Sequence, residues 1–421
     1  MRRVFFLNRF FVPDHSATSQ LLADVASDLA SCGYDVQVVT SRQLYDDPKA
    51  RLPPKAFIKG VAVHRVATTH FGRSQLVGRA IDYLSFYASA WRMLSRLTQP
   101  QDVVVAMTDP PLMSLVAMQV ANRRGAVLVN WLQDLYPEVA VALHVPFIKG
   151  PILRTITYLR DRSLKIAAAN VVVGTLMADK VAARGIARDH IQVIANWSED
   201  EAIVPIDAND NLLRRQWGLS NKFVVGYSGN LGRAHEFDTV LTAAERLRSH
   251  RDIVFLCIGG GHQMPQLMAQ VRKRDLHNFQ FRDYQDQAVL QFSLSVPDIH
   301  WISLKPELEG LIVPSKIYGI AAAGRPILAI CAKHGEISSL VEQHQCGVVN
   351  EPGAVDALVA SIFRLSKDAQ LCSNMGRQAR AMLDSKFTRH QALQRWQNLL
   401  RDLDNSTDQA CWNGQRSSVA G

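Results

Sequence analysis

What this chain lacks narrows its possible functions. Across 421 residues, no stretch of 18 or more is free of charge or proline, so no membrane-spanning helix is expected. Cysteine is sparse. The six residues Cys32, Cys257, Cys331, Cys346, Cys372 and Cys411 show no CxxC spacing and no nearby histidine pairs. Metal ligation and dithiol chemistry are therefore set aside, and reduced thiols of a cytosolic protein are expected. No arginine-rich run and no nucleic-acid motif is present, which argues against a nucleic-acid partner. No Gly-x-Gly-x-x-Gly follows the first strand, which disfavours a dinucleotide-dependent oxidoreductase. No Asp-x-Asp pair follows a strand, so no metal site is expected. The start, Met-Arg-Arg-Val-Phe-Phe-Leu, is broken by Asn8-Arg9 and reads as a first strand, not a signal peptide.

What is present is a basic, ordinarily apolar composition: formal charge +9, with 48% hydrophobic and 20% charged residues. The charge is uneven, since residues 1–200 carry 23 Lys+Arg against 16 Asp+Glu. The positives are scattered singly among apolar residues, a pattern that fits an anionic membrane surface. Two stretches concentrate it. Residues 71–97 hold Phe71, Tyr83, Phe86, Tyr87 and Trp91 with Arg73, Arg79, Arg92 and Arg96. Residues 146–165 hold Phe147, Ile148, Ile152, Leu153 and Tyr158 with Lys149, Arg154, Arg160 and Arg162. Such helices either lie on a bilayer or are core faces with solvated rims. The charge of this half tips the expectation toward peripheral association.

At this length two domains are the default. Short apolar strands recur at Val4–Leu7, Val36–Thr40, Val61–Val66, Val103–Met107, Ala126–Trp131, Val171–Val173 and Ile191–Ile194. Helical stretches separate them, which predicts a parallel sheet covered on both faces. The pattern restarts after the polar, acidic residues 198–221. Strands then follow at Phe223–Tyr227, Ile253–Ile258, Asn278–Phe281, Ile299–Ser303, Ile327–Ile330 and Gly347–Asn350. The expected fold is α/β, with two Rossmann-like doubly wound domains, 1–198 and 222–385, facing across a cleft. A C-terminal helix at 386–404 and a disordered tail at 405–421 complete the chain.

Three segments carry chemistry. Pro314-Ser315-Lys316 opens a small-residue helix, where Ser315 can cap backbone N–H groups and Lys316 suits a diphosphate. Gly226-Tyr227-Ser228-Gly229-Asn230-Leu231-Gly232-Arg233 follows the first strand of the second half. Its glycines let a ligand approach the backbone, and Arg233 offers a fork for phosphate. Gly259-Gly260-Gly261 is either a nucleobase-edge turn or a plain tight turn.

In this order, with Pro-x-Lys-x-x-x-x-x-Ala-x-Gly-x-Pro and Gly-Val-Val-x-Glu-Pro-Gly, these segments resemble the C-terminal half of glycosyltransferase family 4. These are retaining enzymes of the GT-B fold. Leu29-Ala30-Ser31-Cys32-Gly33-Tyr34-Asp35-Val36 resembles the family's first helix end. Trp131-Leu132-Gln133-Asp134-Leu135-Tyr136-Pro137-Glu138 and Ile194-Ala195-Asn196-Trp197 resemble a bacterial exopolysaccharide, O-antigen and colanic acid branch. The resemblance covers about residues 1–400.

It implies a donor-binding second domain and an acceptor-binding first. Arg233 and Lys316 would neutralise the donor diphosphate, and Ser228, Gly229, Asn230 and Ser315 would hydrogen-bond its oxygens. Gly260 and Tyr318 would line the donor site, and Glu351 would lie near a ribose or remain a solvated loop acid. Asp134 and Glu309 are the catalytic candidates, each with a plain structural alternative: a turn cap for Asp134, an exposed loop acid for Glu309. Either Ser16 or Thr18, the acceptor-binding candidates, could cap the first helix and face a phosphate. Two departures stand out. Gly319 replaces a family glutamate, and His235 replaces a lysine. No cofactor or metal is implied, the nucleotide-sugar being the substrate. The expected activity is metal-independent, retaining sugar transfer to a lipid-linked or oligosaccharide acceptor, at the inner face of the cytoplasmic membrane. The alternatives are a sugar-nucleotide epimerase of the same fold and a non-catalytic sugar-nucleotide-binding subunit.

Overall fold

Runs of Val, Ile and Phe with no interior proline form strands wherever both faces can be buried, and this chain uses them so throughout. The computed structural model describes residues 3–71, 76–198 and 200–418. The chain divides into two units, 1–195 with 392–421, and 196–391.

Among the described residues, the first unit is built on eight strands. They are Arg3–Leu7 (β1), Asp35–Ser41 (β2), Lys55–Ile58 (β3), Val61–Val66 (β4), Val103–Ala106 (β5), Val127–Leu132 (β6), Ala169–Val172 (β7) and Ile191–Val193 (β8). Their order is β3-β4-β2-β1-β5-β6-β7-β8. All pairs are parallel except β3 with β4. The apolar pattern contains no sign of β3, because this short edge strand buries none of its side chains fully. Phe5, Leu7, Val104 and Ala106 join Phe86, Ala90, Leu94 and Val120 in one core. The last helix, Arg389–Ser418, returns to this unit, and Trp396 packs against Trp131 at 4.6 Å and Phe6 at 6.3 Å between ring centroids. Where composition predicted a disordered tail from 405, the helix runs on to Ser418; no proline in that stretch interrupts its backbone bonding.

The second unit's sheet comprises Phe223–Ser228 (β9), Ile253–Ile258 (β10), Phe279–Arg282 (β11), Ile299–Ser303 (β12), Ile327–Ile330 (β13) and Gly347–Asn350 (β14). All are parallel, in the order β11-β10-β9-β12-β13-β14. This is the doubly wound order in which the connection reverses direction between the first and fourth strands. Between β9 and β12 only Val225 with Ile299 and Gly226 with His300 are in register. Beyond them the ladder stops, at the carboxyl ends of the strands, where the crevice of such sheets takes ligands.

Candidate active site

Three stretches far apart in sequence meet at this crevice. The turn after β9 packs on the turn after β10: Gly229 N–H donates to Ile258 O at 2.8 Å, and Leu231 N–H to Gly260 O at 2.7 Å. Glycine is required here. A Cβ at Gly259, whose φ is 118°, would lie 2.5 Å from Gly229 O. One at Gly229, with φ of 114°, would press to 3.1 Å from Lys316 Cε. Lys316 opens the helix Lys316–Ala322 and runs past this turn. Its Nζ lies 3.2 Å from His235 Nε2 and 5.3 Å from the Tyr227 ring centroid. His235 is 6% exposed, and its Nδ1 lies 2.7 Å from the carbonyl oxygen of Ser303, the last residue of β12.

The electrostatics follow from enclosure. Although Lys316 is half-buried as a residue, burial of its ammonium lowers the group from 10.5 to about 8. Among the described residues no carboxylate pairs with it. Burial takes His235 down to about 3, helped by the Lys316 charge and opposed by the Ser303 carbonyl. At neutral pH a desolvated cation therefore stands beside a neutral imidazole. Ser228 Oγ is enclosed nearby in sequence, at the end of β9, with no hydrogen-bond partner. A desolvated cation and an unused hydroxyl suit an anion rich in acceptor oxygens.

The other expected donor residues vary. Asn230 and Arg233 are exposed on the same turn. The backbone of Gly260 faces Tyr284, whose ring would be 3.1 Å from an added Cβ. Glu351 is exposed just past β14. Ser315 holds the N-cap position but makes no side-chain cap, because its own φ and ψ are already helical. Tyr318 is 1% exposed and packs against Phe387 at 5.2 Å between ring centroids, so its ring belongs to the core.

Glu309 is half-buried at the head of the helix Glu336–His344. Its Oε2 accepts from Glu336 N–H at 3.3 Å, and Gly335 makes room for it, since a Cβ there would lie 2.3 Å from Oε1. A carboxylate at a helix N-terminus is favourably placed. Gly319, by contrast, has space: an added Cβ would meet nothing nearer than Leu294 at 3.7 Å.

In the first unit Asp134 follows β6, with Oδ1 enclosed and without a hydrogen-bond partner. Burial raises its carboxyl to about 6, against a hydrogen bond from Thr108 and with help from the Asp109 charge. Ser16 precedes the helix Ala17–Ser31, but its hydroxyl bonds the Asp14 carboxylate and caps nothing. Asp14, 3% exposed, also accepts from Ser16 N–H at 2.8 Å. That carboxylate sits at the helix head, where it disfavours a phosphate. Thr18 is half-buried in the first turn. Arg73 lies outside the described residues. The cysteines Cys32, Cys257, Cys331, Cys346 and Cys372 are free thiols.

Sequence reasoning marked His235 only as a lost lysine, and it passed over Ser303 and Tyr227. A backbone carbonyl leaves no signal in sequence, so the Ser303 contact had none to offer.

Comparison with known proteins now bears on this arrangement. Residues 18–197 match the glycosyl transferase 4-like domain, and residues 209–382 match glycosyl transferases group 1. The chain is a glycosyltransferase of the family 4, GT-B type. A curated relative, the putative colanic acid biosynthesis glycosyl transferase WcaI of Escherichia coli K12, is 26% identical over 84% of this chain and 89% of its own. Among solved structures, sucrose-phosphate synthase of Thermosynechococcus elongatus superposes with a TM-score of 0.77 at 15% identity, covering 96% of this chain and 100% of that one. Anabaena HepE in complex with UDP-glucose gives 0.71 at 17%, with the same coverage. Among the described residues of this transferase, no helix is long and apolar enough to cross a membrane. Among the described residues, no three His, Cys, Asp or Glu side chains gather to hold a metal ion.

Proposed function

We propose that this transferase moves a sugar from a nucleotide diphosphate, bound by the second unit, to a lipid-linked carbohydrate acceptor bound by the first, during polysaccharide synthesis. The observation that carries the donor assignment is the enclosed ammonium of Lys316, with no carboxylate partner among the described residues, at the β9–β12 crevice. Donor diphosphate would supply the missing countercharge. Arg233, exposed on the adjoining turn, adds a planar fork from the solvent side. As the glycosidic bond breaks, negative charge collects on the leaving diphosphate, and these two cations offset it in place of a divalent ion. Asp134 and Glu309 position the substrates, the anomeric configuration is retained, and Glu351 serves the ribose. The HepE complex with UDP-glucose supports the donor class. The relative named for colanic acid biosynthesis supports the pathway class.

The lipid-linked acceptor rests on the first unit's surface. Val77, Ile81 and Leu84 are exposed along the helix Leu76–Leu97. Ile152, Tyr158 and Ile166 are exposed along Gly150–Ile166, among Arg154, Arg162 and Lys165. Apolar side chains bracketed by cations suit the headgroup zone of an anionic bilayer, at the inner face of the cytoplasmic membrane.

Turnover of a panel of nucleotide sugars by the purified full chain tests the chemistry, with product configuration read by NMR in excess chelator. Transfer with retention is expected. Activity abolished by chelator and restored by magnesium or manganese, or an inverted product, overturns the mechanism. Under the same conditions Arg233→Ala is expected to slow turnover about tenfold, and Arg233→Lys less. Co-sedimentation of the full chain with anionic vesicles at low but not high salt is the expected surface behaviour.

A further inference from the structure

We infer that His235 is a positioning residue for Lys316: as the neutral Nδ1–H tautomer it accepts a hydrogen bond from the ammonium and aims it at the donor phosphates. The inference rests on the reading of Lys316 as the donor-binding cation. Its basis is the chemistry of the two neighbours. Ser303 O, a carbonyl, can only accept, so the proton of the 2.7 Å contact sits on Nδ1. Nε2 then carries a lone pair, and Lys316 Nζ, an obligate donor when charged, lies 3.2 Å from it. The opposite tautomer would set an N–H against the ammonium and strip Ser303 O of this bond. An imidazolium would place two cations in contact inside a buried site.

The arrangement fixes geometry as well as charge. One of the three Lys316 donors is directed to His235, while the Tyr227 face takes part of the cation's field from another side. Two donors remain for ligand oxygens. His235 is in turn locked by Ser303 and by a T-shaped contact with Tyr227, whose ring centroid is 5.8 Å away. A four-carbon side chain with several rotatable bonds is thereby held in one direction before any donor arrives, which reduces the entropy lost on binding. The residue that replaces a family lysine thus serves the lysine that remains.

Two measurements on the full chain test this. Nitrogen-15 NMR of histidine-labelled protein without ligand, with His235 assigned through His235→Gln, should show the neutral Nδ1–H tautomer at pH 7. An Nε2–H tautomer or an imidazolium there overturns the inference. Affinities for UDP and GDP then form a double-mutant cycle. His235→Leu should weaken binding of the better nucleotide about tenfold in the wild-type background and leave it unchanged in Lys316→Met. His235→Gln, which keeps an acceptor, should recover most of the loss. An equal loss in both backgrounds overturns the coupling and makes His235 merely structural. If neither nucleotide binds the wild type while the tautomer is as stated, the donor-site reading falls and the His235–Lys316 contact stands.

Discussion

The two units share a doubly wound topology, yet they treat the buried cation beside the switch point oppositely. In the first, Arg9 lies two residues beyond β1, is 4% exposed, and has its N–H bonded to Asp109 O at 2.7 Å. Its guanidinium meets Asp82 at 3.8 Å and Gln43 at 3.2 Å, and it lies over the rings of Phe10 and Tyr83. In the second unit, among the described residues, Lys316 meets a neutral imidazole and an aromatic face but no carboxylate. One cation is neutralised from within and consolidates its domain. The other is left short of negative charge, and that deficit is what a ligand can fill.

The contrast is sharpest in stability. Arg9→Met should destabilise the protein by about 3–5 kcal/mol, because it breaks a buried ion pair: the Asp82 carboxylate loses its cation and retains its hydrogen bonds from Thr69 Oγ1 and Phe71 N–H. Lys316→Met should not, since it removes a desolvated cation that no carboxylate among the described residues neutralises. Chemical denaturation of both variants makes the comparison, and a matching loss in Lys316→Met would erase the distinction. The pH dependence has a definite sign. Burial holds the folded Lys316 near 8 against 10.5 when unfolded. Between those values the unfolded chain binds more protons, so this residue makes stability rise with pH across that window. Lys316→Met should flatten the rise.

Next in size is ligand affinity. Lys316→Ala should weaken nucleoside diphosphate binding by roughly 1.5–3 kcal/mol, the range for a charged hydrogen-bond partner. Unchanged affinity by calorimetry would remove Lys316 from the site.

Asp134 offers a comparison of opposite sign. Its folded carboxyl titrates near 6 against 3.8 unfolded. Native protein therefore binds more protons between those values, and the favourable contribution present at low pH is lost as pH rises through 6. Asp134→Asn should stabilise the fold by about 2 kcal/mol at pH 8 and by little at pH 4. Equal effects at both pH values would show that the carboxyl is not desolvated. The smallest effect is expected at Gly319→Ala. The site has room for a Cβ, and a helical glycine replaced by alanine gains roughly 0.5–1 kcal/mol. A loss of donor affinity there would show that the missing family glutamate left a site that needs its space.

The fold was legible because its strands are continuous apolar runs. Val103–Ala106 and Ile253–Ile258 are buried at every position, and no helical period competes with them. The edge strand β3 escaped notice because it has no such run. In the site, Lys316 and the glycine turns were legible through residue types with few other uses, namely glycines at a strand end and a lysine after Pro-Ser. The neighbours of Tyr318 and Ser16 were illegible for a common reason. Sequence shows that a side chain can bond a ligand but not which neighbour already holds it, whether Phe387 for one or Asp14 for the other.

Sequence by itself determined the tandem α/β architecture, the transferase family and the candidate phosphate-binding cation, since these depend on periodicity and on local motif chemistry. Tertiary structure alone decided that His235, Ser303 and Lys316 converge from a loop, a strand end and a helix, His235 and Lys316 being 81 residues apart, and that Lys316 stands without a carboxylate among the described residues. The physical reason is that a buried group's charge state and direction are set by whatever the fold packs against it. In a parallel sheet those neighbours come from strands distant in the chain.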